Sequence, residues 1–356
     1  MMKRVMQAPL FKALFGSRGN TVVTLLMVAL FALLLPGLVR WMFGHAVWEA
    51  ANRAACRLAD DGACWAFIRA RFALFFYGTY PEGERWRVHA GLALLVVVGT
   101  GTLFSHRRRG AWLLALMTVV PVADAVLLAG GMFGLAAVPT ERWGGLMLNL
   151  VISFVALGGA MPIGIALAFG RRSTWPVIRY GSIGLIEFWR GVPLLTVLFM
   201  GLVLLPLFLP NGVNVDNLVR ALVVMTIFTG AYMAECVRGG LQGVERGQSE
   251  AALALGMHTT QVQLLVVLPQ ALRLAIPGII NIAVDLFKDT SLVSIVGLFD
   301  LMGVVGQSLK DPAWTGLASE GYVFAAIVFF FACLVISLGG SVLERHFSAV
   351  PRAGKS

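Results

Sequence analysis

Residues 143–170 contain no charged side chain, and this run constrains the fold more than any other feature of the sequence. About 20 consecutive apolar residues cross the hydrocarbon core of a bilayer as a helix. Lipid offers backbone N–H and C=O groups no hydrogen-bond partner, so each such run has to be helical. Comparable runs recur along the chain, which predicts an all-α polytopic membrane protein. We expect about eight transmembrane helices, near residues 20–41, 88–104, 111–131, 143–170, 178–208, 217–236, 274–298 and 321–343.

The composition excludes other classes of protein. Of the 356 residues, 58% are hydrophobic and 13% are charged, whereas a soluble domain carries about 25% charged residues. This excludes an ordinary soluble enzyme, and also a disordered chain, which needs low hydrophobicity. The formal net charge of +10 could by itself indicate a nucleic-acid partner. Many basic residues lie in short gaps between apolar runs, however, so we expect no nucleic-acid partner.

The basic residues also indicate the orientation in the membrane, because short cytoplasmic loops are enriched in Lys and Arg. Eight spans put both termini on one side, and the basic clusters predict that this side is the cytoplasm. The long polar segment 44–87 is then exported, which its length allows despite its arginines. The run from Thr21 to Val39 lacks a small-residue cleavage site behind it, so we expect it to be retained as a span. The clusters are Lys3, Arg4, Lys12 and Arg18; Arg107, Arg108 and Arg109; Arg171 and Arg172; and Arg345, Arg352 and Lys355.

Proline and glycine interrupt several of the predicted spans. Small residues allow helices to approach closely, whereas broken helices can line a solute path. The sequence leaves both interpretations open. The residues concerned are Pro162, Pro193, Pro206 and Pro277, with Gly158, Gly159 and Gly164.

A polar loop, residues 238–272, separates the sixth and seventh predicted spans. Residues 250–255 are strong helix formers, and Gly256 is typical of a helix end. Thr259 or Thr260 can cap a second helix, which we expect to end at Leu268, before Pro269. The loop is therefore predicted to be a helix–turn–helix.

The apolar side of this loop needs a covering surface. Ala251, Ala252 and Leu255 form that side, and the chain has no soluble domain to bury them. A helix laid in the groove of a separate protein would bury such a side. The sequence therefore predicts a partner protein at this loop.

The same loop resembles a known motif. Glu250-Ala251-Ala252, then Gly256, then Val266-x-Leu268-Pro269 is similar to the EAA loop of ABC importer permeases, with Val266 where isoleucine is usual. The resemblance implies that the loop contacts a separate ATP-binding subunit and transmits its closure. It also implies that Glu250 pairs with a basic group of that subunit and that Gly256 sets the turn.

Other segments resemble the polar amino-acid permeases. They are residues 187–195, with Val192 in place of threonine, and residues 231–240, 247–248 and 288–294. Segments 63–67, 80–81 and 84–87 are similar to the M-type permease of the general L-amino-acid importer. The resemblance implies a five-helix ABC permease core over 143–347 and a tail over 348–356. It also implies an N-terminal extension, residues 1–142, with three transmembrane helices and the periplasmic loop 44–87.

The resemblance implies the transmembrane permease subunit of a bacterial ABC importer. Such a subunit moves polar or general L-amino acids across the inner membrane by ATP-driven alternating access. The implied partners are an ATP-binding subunit, a sibling permease in a heterodimer, a periplasmic amino-acid-binding protein, the amino acid and membrane lipid. An opine or a modified amino acid is an alternative cargo. An ion-coupled secondary transporter using Asp124, Asp285 and Asp289, or a membrane scaffold without transport, is an alternative of another class.

Charged residues within predicted spans are costly to bury and are candidates for function. Glu187 and Arg190 lie one helical turn apart, so they can pair with each other or bind the two charged groups of an amino acid. In the seventh span Lys288 can neutralise Asp285, and Asp289 follows it. A structural role and a role in the solute path or gate, together with Pro193, both remain open. Asp124 has no partner in its own helix and is expected to face a neighbouring one, whereas Glu235 and Arg238 are expected to form a local ion pair.

The remaining residues indicate no catalytic centre. Cys56 and Cys64 lie in the predicted exported loop, where disulfides are permitted, and we predict a bridge between them. Cys236 and Cys333 are expected to be packing residues. The sequence has no HExxH motif, no paired zinc-ligand spacing, no GxSxG elbow and no complete phosphate loop. We therefore expect no metal, no cofactor and no enzymatic activity, and assign ATP hydrolysis to the partner.

Overall fold

The computed structural model describes residues 14–59, 61–105, 109–208, 210 and 215–348. Its regular structure is helical, with sixteen α-helices in these ranges, some of them joined by π-helical or 3₁₀ turns. Asp60 and the basic residues Lys3, Arg4, Lys12, Arg107, Arg108, Arg352 and Lys355 lie outside the described residues. The helices are α1 Arg18–Val39, α2 Arg53–Ala59, α3 Trp65–Tyr77, α4 Arg85–Phe104, α5 Arg109–Leu114, α6 Val120–Ala129, α7 Gly145–Arg171, α8 Pro176–Gly191, α9 Leu194–Phe199, α10 Leu205–Phe208, α11 Asn217–Gly243, α12 Arg246–Ala254, α13 Thr259–Gln261, α14 Leu268–Asp289, α15 Leu301–Ser308 and α16 Ala318–Ser348.

The prediction of an all-α polytopic membrane protein is confirmed. Among the described residues, six helical segments are long and apolar enough to cross a membrane, and a bent helix pair can supply a seventh. The predicted second span, residues 88–104, lies within α4, which is 20 residues long but is not one of these six segments. The six are Arg18–Gly44, Gly110–Ala129, Gly145–Arg171, Asn217–Gly243, Thr259–Val296 and Ala318–Arg345.

The predicted fifth span, over 178–208, is interrupted at Pro193, one of the prolines named from the sequence. The chain bends by 102° between α8 and the segment that begins with α9. Val192, at the bend, has extended backbone angles (φ −102°, ψ 133°), and Pro193 follows it. Proline disfavours the helical conformation in the residue before it and lacks an N–H donor. Pro162 and Pro277, in contrast, lie inside helices that continue past them.

The polar loop between the sixth and seventh spans is shorter than predicted. Helix α11 continues to Gly243, and α13 begins at Thr259. A π-helical turn, Val262–Val267, joins α13 to α14, so residues from Thr259 to Val296 form one helical segment. Hydropathy marks where the apolar stretch begins, whereas backbone hydrogen bonds carry the helix beyond it.

The glycines of α7 contact α11. A Cβ atom added to Gly164 would lie 2.6 Å from the Cβ of Met233, and one added to Gly159 would lie 2.6 Å from a methyl group of Thr226. Gly230 of α11 approaches Ile163 in the same way. Without a hydrophobic effect between helices in lipid, such close contact is a main source of association. Of the two interpretations left open by the sequence, close helix packing is therefore the one that the structure supports for these glycines.

Two compact units divide the chain, Met1–Arg71 with Ser308–Gly321, and Phe72–Gln307 with Tyr322–Ser356. In the first unit, the Arg53 N–H donates to the Ala313 carbonyl at 2.9 Å, and the rings of Phe67 and Trp314 lie 5.7 Å apart. In the second, α7, α11 and α14 surround most of the buried apolar side chains. The predicted boundary at residue 142 stays a prediction.

Candidate coupling site and transport path

The predicted helix–turn–helix is present as a hairpin, which we define as residues 246–261. Helix α12 ends at Ala254, and Gly256 adopts the left-handed conformation (φ +82°), which glycine adopts without strain. The expected cap at Thr259 or Thr260 is wrong, because His258 precedes the next helix. Its N–H donates to Gln261 Oε1 at 3.0 Å, and the two residues form a reciprocal capping box.

The second helix of the motif does not end at Leu268 as predicted. It runs through Leu268 and Pro269 into α14. Pro269, which lacks an N–H donor, comes directly after the π-helical turn Val262–Val267, where the regular α-helical hydrogen-bond pattern is already interrupted. The hairpin is therefore attached directly to a membrane-spanning helix.

The apolar side of the hairpin is only partly covered by its own chain. Ala252 is 3% exposed and packs in a cluster with Met233, Val262 and Val267, among others. Leu255 is 83% exposed, and Ala251 is also exposed. Glu250 is exposed and has no ion pair with any residue that the structure describes. The hairpin thus anchors through Ala252 and presents Glu250, Ala251 and Leu255 to solvent.

A cluster of charges joins α7, α8 and α11. Arg171 Nη1 lies 2.8 Å from Glu235 Oε1 and 3.2 Å from Glu187 Oε1. Arg238 Nη2 lies 2.7 Å from Glu235 Oε2, so the local pair expected between Glu235 and Arg238 is present. Sequence reasoning used Arg171 only as a sign of membrane orientation. Its role emerges only once the ends of the three helices are brought together.

Glu187 and Arg190 do not form the pair considered from their spacing. Among the described residues, Glu187 pairs with Arg171, and the Arg190 guanidinium lies 5.6 Å from the ring centroid of Tyr232. An aromatic face attracts a cation at this distance. Helix packing thus offers each charge a partner on another helix. Both side chains remain exposed.

The charges of the seventh span lie at the end of α14 far from the hairpin. Lys288 Nζ lies 3.5 Å from Asp285 Oδ1, and both side chains are more than half exposed. Asp289, the last residue of α14, is half-buried. Asp285, Lys288 and Asp289 therefore lie close to one another at this end of the helix. Their role in a solute path or gate stays a prediction.

Asp124 of α6 faces a neighbouring helix, as expected. Its Oδ1 would lie 2.8 Å from a Cβ added to Gly91 of α4. That oxygen is buried and has no hydrogen-bond partner among the described residues. Asp124 also lines an otherwise apolar cavity of about 460 Å³ beside Leu92, Trp143 and Met147.

Sequence reasoning missed a buried polar network built on Asn149. Asn149 Nδ2 donates to Asp300 Oδ2 at 2.9 Å and to Thr290 Oγ1 at 2.8 Å. Burial raises the pKa of the Asp300 carboxyl, against the lowering effect of hydrogen bonds from the Gly303 N–H and Asn149. The sequence feature that could have indicated this network is Asn149 itself, a polar amide near the start of an uncharged span.

The two cysteines of the predicted exported loop are joined. Cys56, in α2, and Cys64, just before α3, form a disulfide with a Cα–Cα distance of 5.9 Å. Cys236 and Cys333 are free and half-buried. In the described part of the chain, no group of three or more His, Cys, Asp or Glu side chains is arranged to hold a metal ion.

Comparison with known proteins places this architecture in a family. Residues 160–348 match the model of the binding-protein-dependent transport system inner membrane component. The chain is 48% identical over 340 residues to the inner membrane amino-acid ABC transporter permease protein YhdY of Escherichia coli (strain K12), covering 95% of this chain and 92% of that protein.

A second relative and a solved structure agree. The glutamate/glutamine/aspartate/asparagine transport system permease protein BztC of Rhodobacter capsulatus is 36% identical over 397 residues, covering 93% of this chain and 91% of that protein. The crystal structure of an amino acid ABC transporter with histidines superposes with a TM-score of 0.51 at 29% identity, covering 57% of this chain and 92% of that chain. The chain belongs to the family of binding-protein-dependent transport system inner membrane components.

Proposed function

We propose that this protein is the permease subunit of an amino-acid ABC importer in the bacterial inner membrane. Two relatives that it matches over more than nine-tenths of its length are permeases of amino-acid transport systems by name. The observation that carries the mechanism is the hairpin, which exposes Glu250 and Leu255 and continues into a membrane-spanning helix. A protein that moves the hairpin moves that helix.

The exposed side of the hairpin is the proposed contact with an ATP-binding subunit. Leu255 and Ala251 supply the apolar part of this contact, and Glu250 supplies a carboxylate for a basic group on that subunit. Burial of exposed apolar surface favours association, and a matched charge sets its register. Ala252 stays within the chain and holds the hairpin against α11 and α14.

A second permease is the proposed partner for the exposed face of α8. Val177 is 85% exposed and Tyr180 68% exposed, and Glu187 and Arg190 are exposed on the same helix. Charged side chains on a membrane helix are costly against lipid, so the exposed Glu187 and Arg190 favour a protein neighbour at this face. The path for the amino acid would lie between the two permeases, with Asp285, Lys288 and Asp289 at its far end, and a periplasmic amino-acid-binding protein would deliver the cargo there.

Reconstitution tests this function directly. The complex, purified with its binding protein and placed in liposomes loaded with ATP, should accumulate an L-amino acid, and vanadate should abolish uptake while an uncoupler leaves it unchanged. Uptake by this chain alone that is abolished by an uncoupler would establish an ion-coupled carrier instead. Testing glutamate, glutamine, arginine and an opine separately distinguishes an amino-acid cargo from a modified one.

Substitution of Glu250 tests the coupling role within the same assay. Glu250→Lys should abolish uptake and the stimulation of ATP hydrolysis by the binding protein. Glu344→Lys is the matched control, because Glu344 is exposed near the end of α16 and outside the hairpin. Normal uptake by Glu250→Lys would contradict the coupling role and favour a scaffold.

A further inference from the structure

Three polar side chains are fully buried at the end of the second compact unit opposite the hairpin. Asn149, Thr290 and Asp300 are each 0% exposed. They belong to the first turns of α7, to the 3₁₀ turn Thr290–Val296 after α14, and to the residue before α15. Buried polar groups are retained at a cost unless each is hydrogen-bonded.

All the hydrogen-bonding groups of the Asn149 side chain have partners. Its Nδ2 donates to Thr290 Oγ1 at 2.8 Å and to Asp300 Oδ2 at 2.9 Å, and its Oδ1 accepts from the Leu301 N–H at 3.0 Å. Both amide hydrogens and the carbonyl oxygen are therefore used. An aliphatic side chain of the same size would remove the link to Thr290 and leave the Leu301 N–H and Asp300 Oδ2 without these hydrogen bonds.

The other members extend these contacts to the backbone. Asp300 Oδ1 accepts from the Gly303 N–H at 2.9 Å, which caps the start of α15, and the Thr290 hydroxyl donates to the Phe287 carbonyl at 2.6 Å. The Gly145 N–H donates to the Phe299 carbonyl at 2.9 Å. Side chains of the same region pack beside the network, since Val293 belongs to one apolar core with Leu148, Ile152 and Leu194.

The network lies at the end of the helix that begins at the hairpin. The helical segment that starts at Thr259 reaches Asp289 and passes directly into the 3₁₀ turn at Thr290. At 1.5 Å per residue this distance is about 45 Å. A displacement of the hairpin that is carried along this segment would arrive at Thr290. Transmission of that displacement beyond Thr290 depends on the contacts between the 3₁₀ turn and the neighbouring helices.

We propose that Asn149 is a positioning residue that couples movement of the hairpin to the opposite end of the permease. It joins the end of the α14 segment to α7 and to the start of α15, so that these parts move as one body and open or close the solute path. This inference rests on the proposed ABC importer function. Without Asn149 the hairpin still moves with the ATP-binding subunit, but the path no longer follows.

The test compares transport per ATP hydrolysed in the reconstituted complex. Asn149→Leu should lower this ratio at least about tenfold, because it breaks the link to Thr290 and leaves the buried Leu301 N–H and Asp300 Oδ2 without their Asn149 hydrogen bonds, while the binding protein still stimulates ATP hydrolysis. Ser153→Ala is the control on the same helix, since among the described residues Ser153 Oγ bonds only the Asn149 backbone carbonyl, at 2.7 Å. A ratio equal to wild type in Asn149→Leu would overturn the proposal, even if the complex melted at a lower temperature.

Two conservative substitutions of Thr290 provide a second test if the Asn149→Leu complex does not assemble. Thr290→Val keeps the shape and loses the hydroxyl, and Thr290→Ser keeps the hydroxyl. The ratio should fall in Thr290→Val and recover in Thr290→Ser, whereas equal ratios in both would overturn the proposal. Failure of the wild-type complex to couple ATP to uptake would instead contradict the proposed function.

A second readout separates coupling from folding. Spin labels attached at Leu265 and at Ile295, which are 67% and 61% exposed, report on the two ends of the helical segment Thr259–Val296. ATP should change the signal at both positions in the wild-type complex and only at Leu265 in Asn149→Leu. A retained change at Ile295 in that variant would contradict the coupling role of Asn149.

Discussion

Arg171 and Glu235 form an ion pair across two helices, with Arg171 Nη1 lying 2.8 Å from Glu235 Oε1. Arg171 ends α7, and Glu235 lies near the end of α11. The same guanidinium also contacts Glu187 of α8. One side chain therefore ties the ends of three helices on the side of the molecule that carries the hairpin.

Removal of this guanidinium should loosen that end of the bundle. Arg171→Met leaves Glu235, which is only 17% exposed, with Arg238 as its one ion-pair partner among the described residues. We expect a loss of about 1 kcal/mol, since partly exposed pairs contribute little more, and hence a melting temperature lower by about 2–4 °C in detergent. The adjacent and exposed Arg172 provides the control, and Arg172→Met should melt like the wild type. Equal melting of both variants would show that the pair contributes no stability.

Leu255 should matter for assembly and not for the fold of the chain. Its side chain is 83% exposed, so Leu255→Asp removes apolar contact surface for a partner without disturbing a core. We expect the affinity for the proposed ATP-binding subunit to fall at least about tenfold, which corresponds to roughly 1.4 kcal/mol. Leu58→Asp, at a leucine that is 90% exposed in the predicted exported loop, should have no effect. Pull-down of the ATP-binding subunit measures both, and undiminished binding to Leu255→Asp would exclude this leucine from the interface.

Ala252, in contrast to Leu255, should matter for the fold of the chain and not for assembly. It is 3% exposed against Val262 and Val267, and overpacking a filled site costs about 1–3 kcal/mol. Ala252→Leu should therefore detach the hairpin from its own chain, seen as faster proteolysis near Gly256. Ala251→Leu is the matched control, because the neighbouring alanine is exposed. Equal protease resistance of the two variants would mean that Ala252 does not anchor the hairpin.

The disulfide in the first compact unit should form in the cell and should stabilise that unit. Cys56 and Cys64 should resist alkylation in membranes prepared without reductant and should react after reduction, as a bonded pair does. Cys56→Ser should lower the melting temperature of the chain, because it removes a constraint on the unfolded state. Cys333, which is free and half-buried, provides the control position. Full alkylation of Cys56 and Cys64 without reductant would refute the bridge.

Several features were predictable from local sequence because their causes are local. Apolar runs of spanning length predicted the membrane helices, since lipid leaves the backbone no alternative to internal hydrogen bonds. Gly256 predicted the turn of the hairpin, since a left-handed backbone conformation favours glycine. Even here the cap at His258 and the continuation of the helix through Pro269 were missed. A wide π-helical turn before a proline leaves no recognisable pattern in the sequence.

The charges show where local reasoning ends. The spacing of Glu187 and Arg190 is correct for a pair within a helix, yet Glu187 lies against Arg171, and Arg190 lies over Tyr232. Which partner a charge takes depends on which helix ends meet, and long side chains reach across that gap.

By itself, therefore, the sequence determined that this chain is a helical membrane protein with an exposed hairpin between two of its spans. The tertiary structure alone decided the ion pairs of Arg171 and the contacts of Asn149 with Thr290 and Asp300. Hydropathy and backbone propensity act over a few neighbouring residues. Hydrogen bonds and ion pairs between distant segments exist only after packing has brought those segments within about 3 Å of one another.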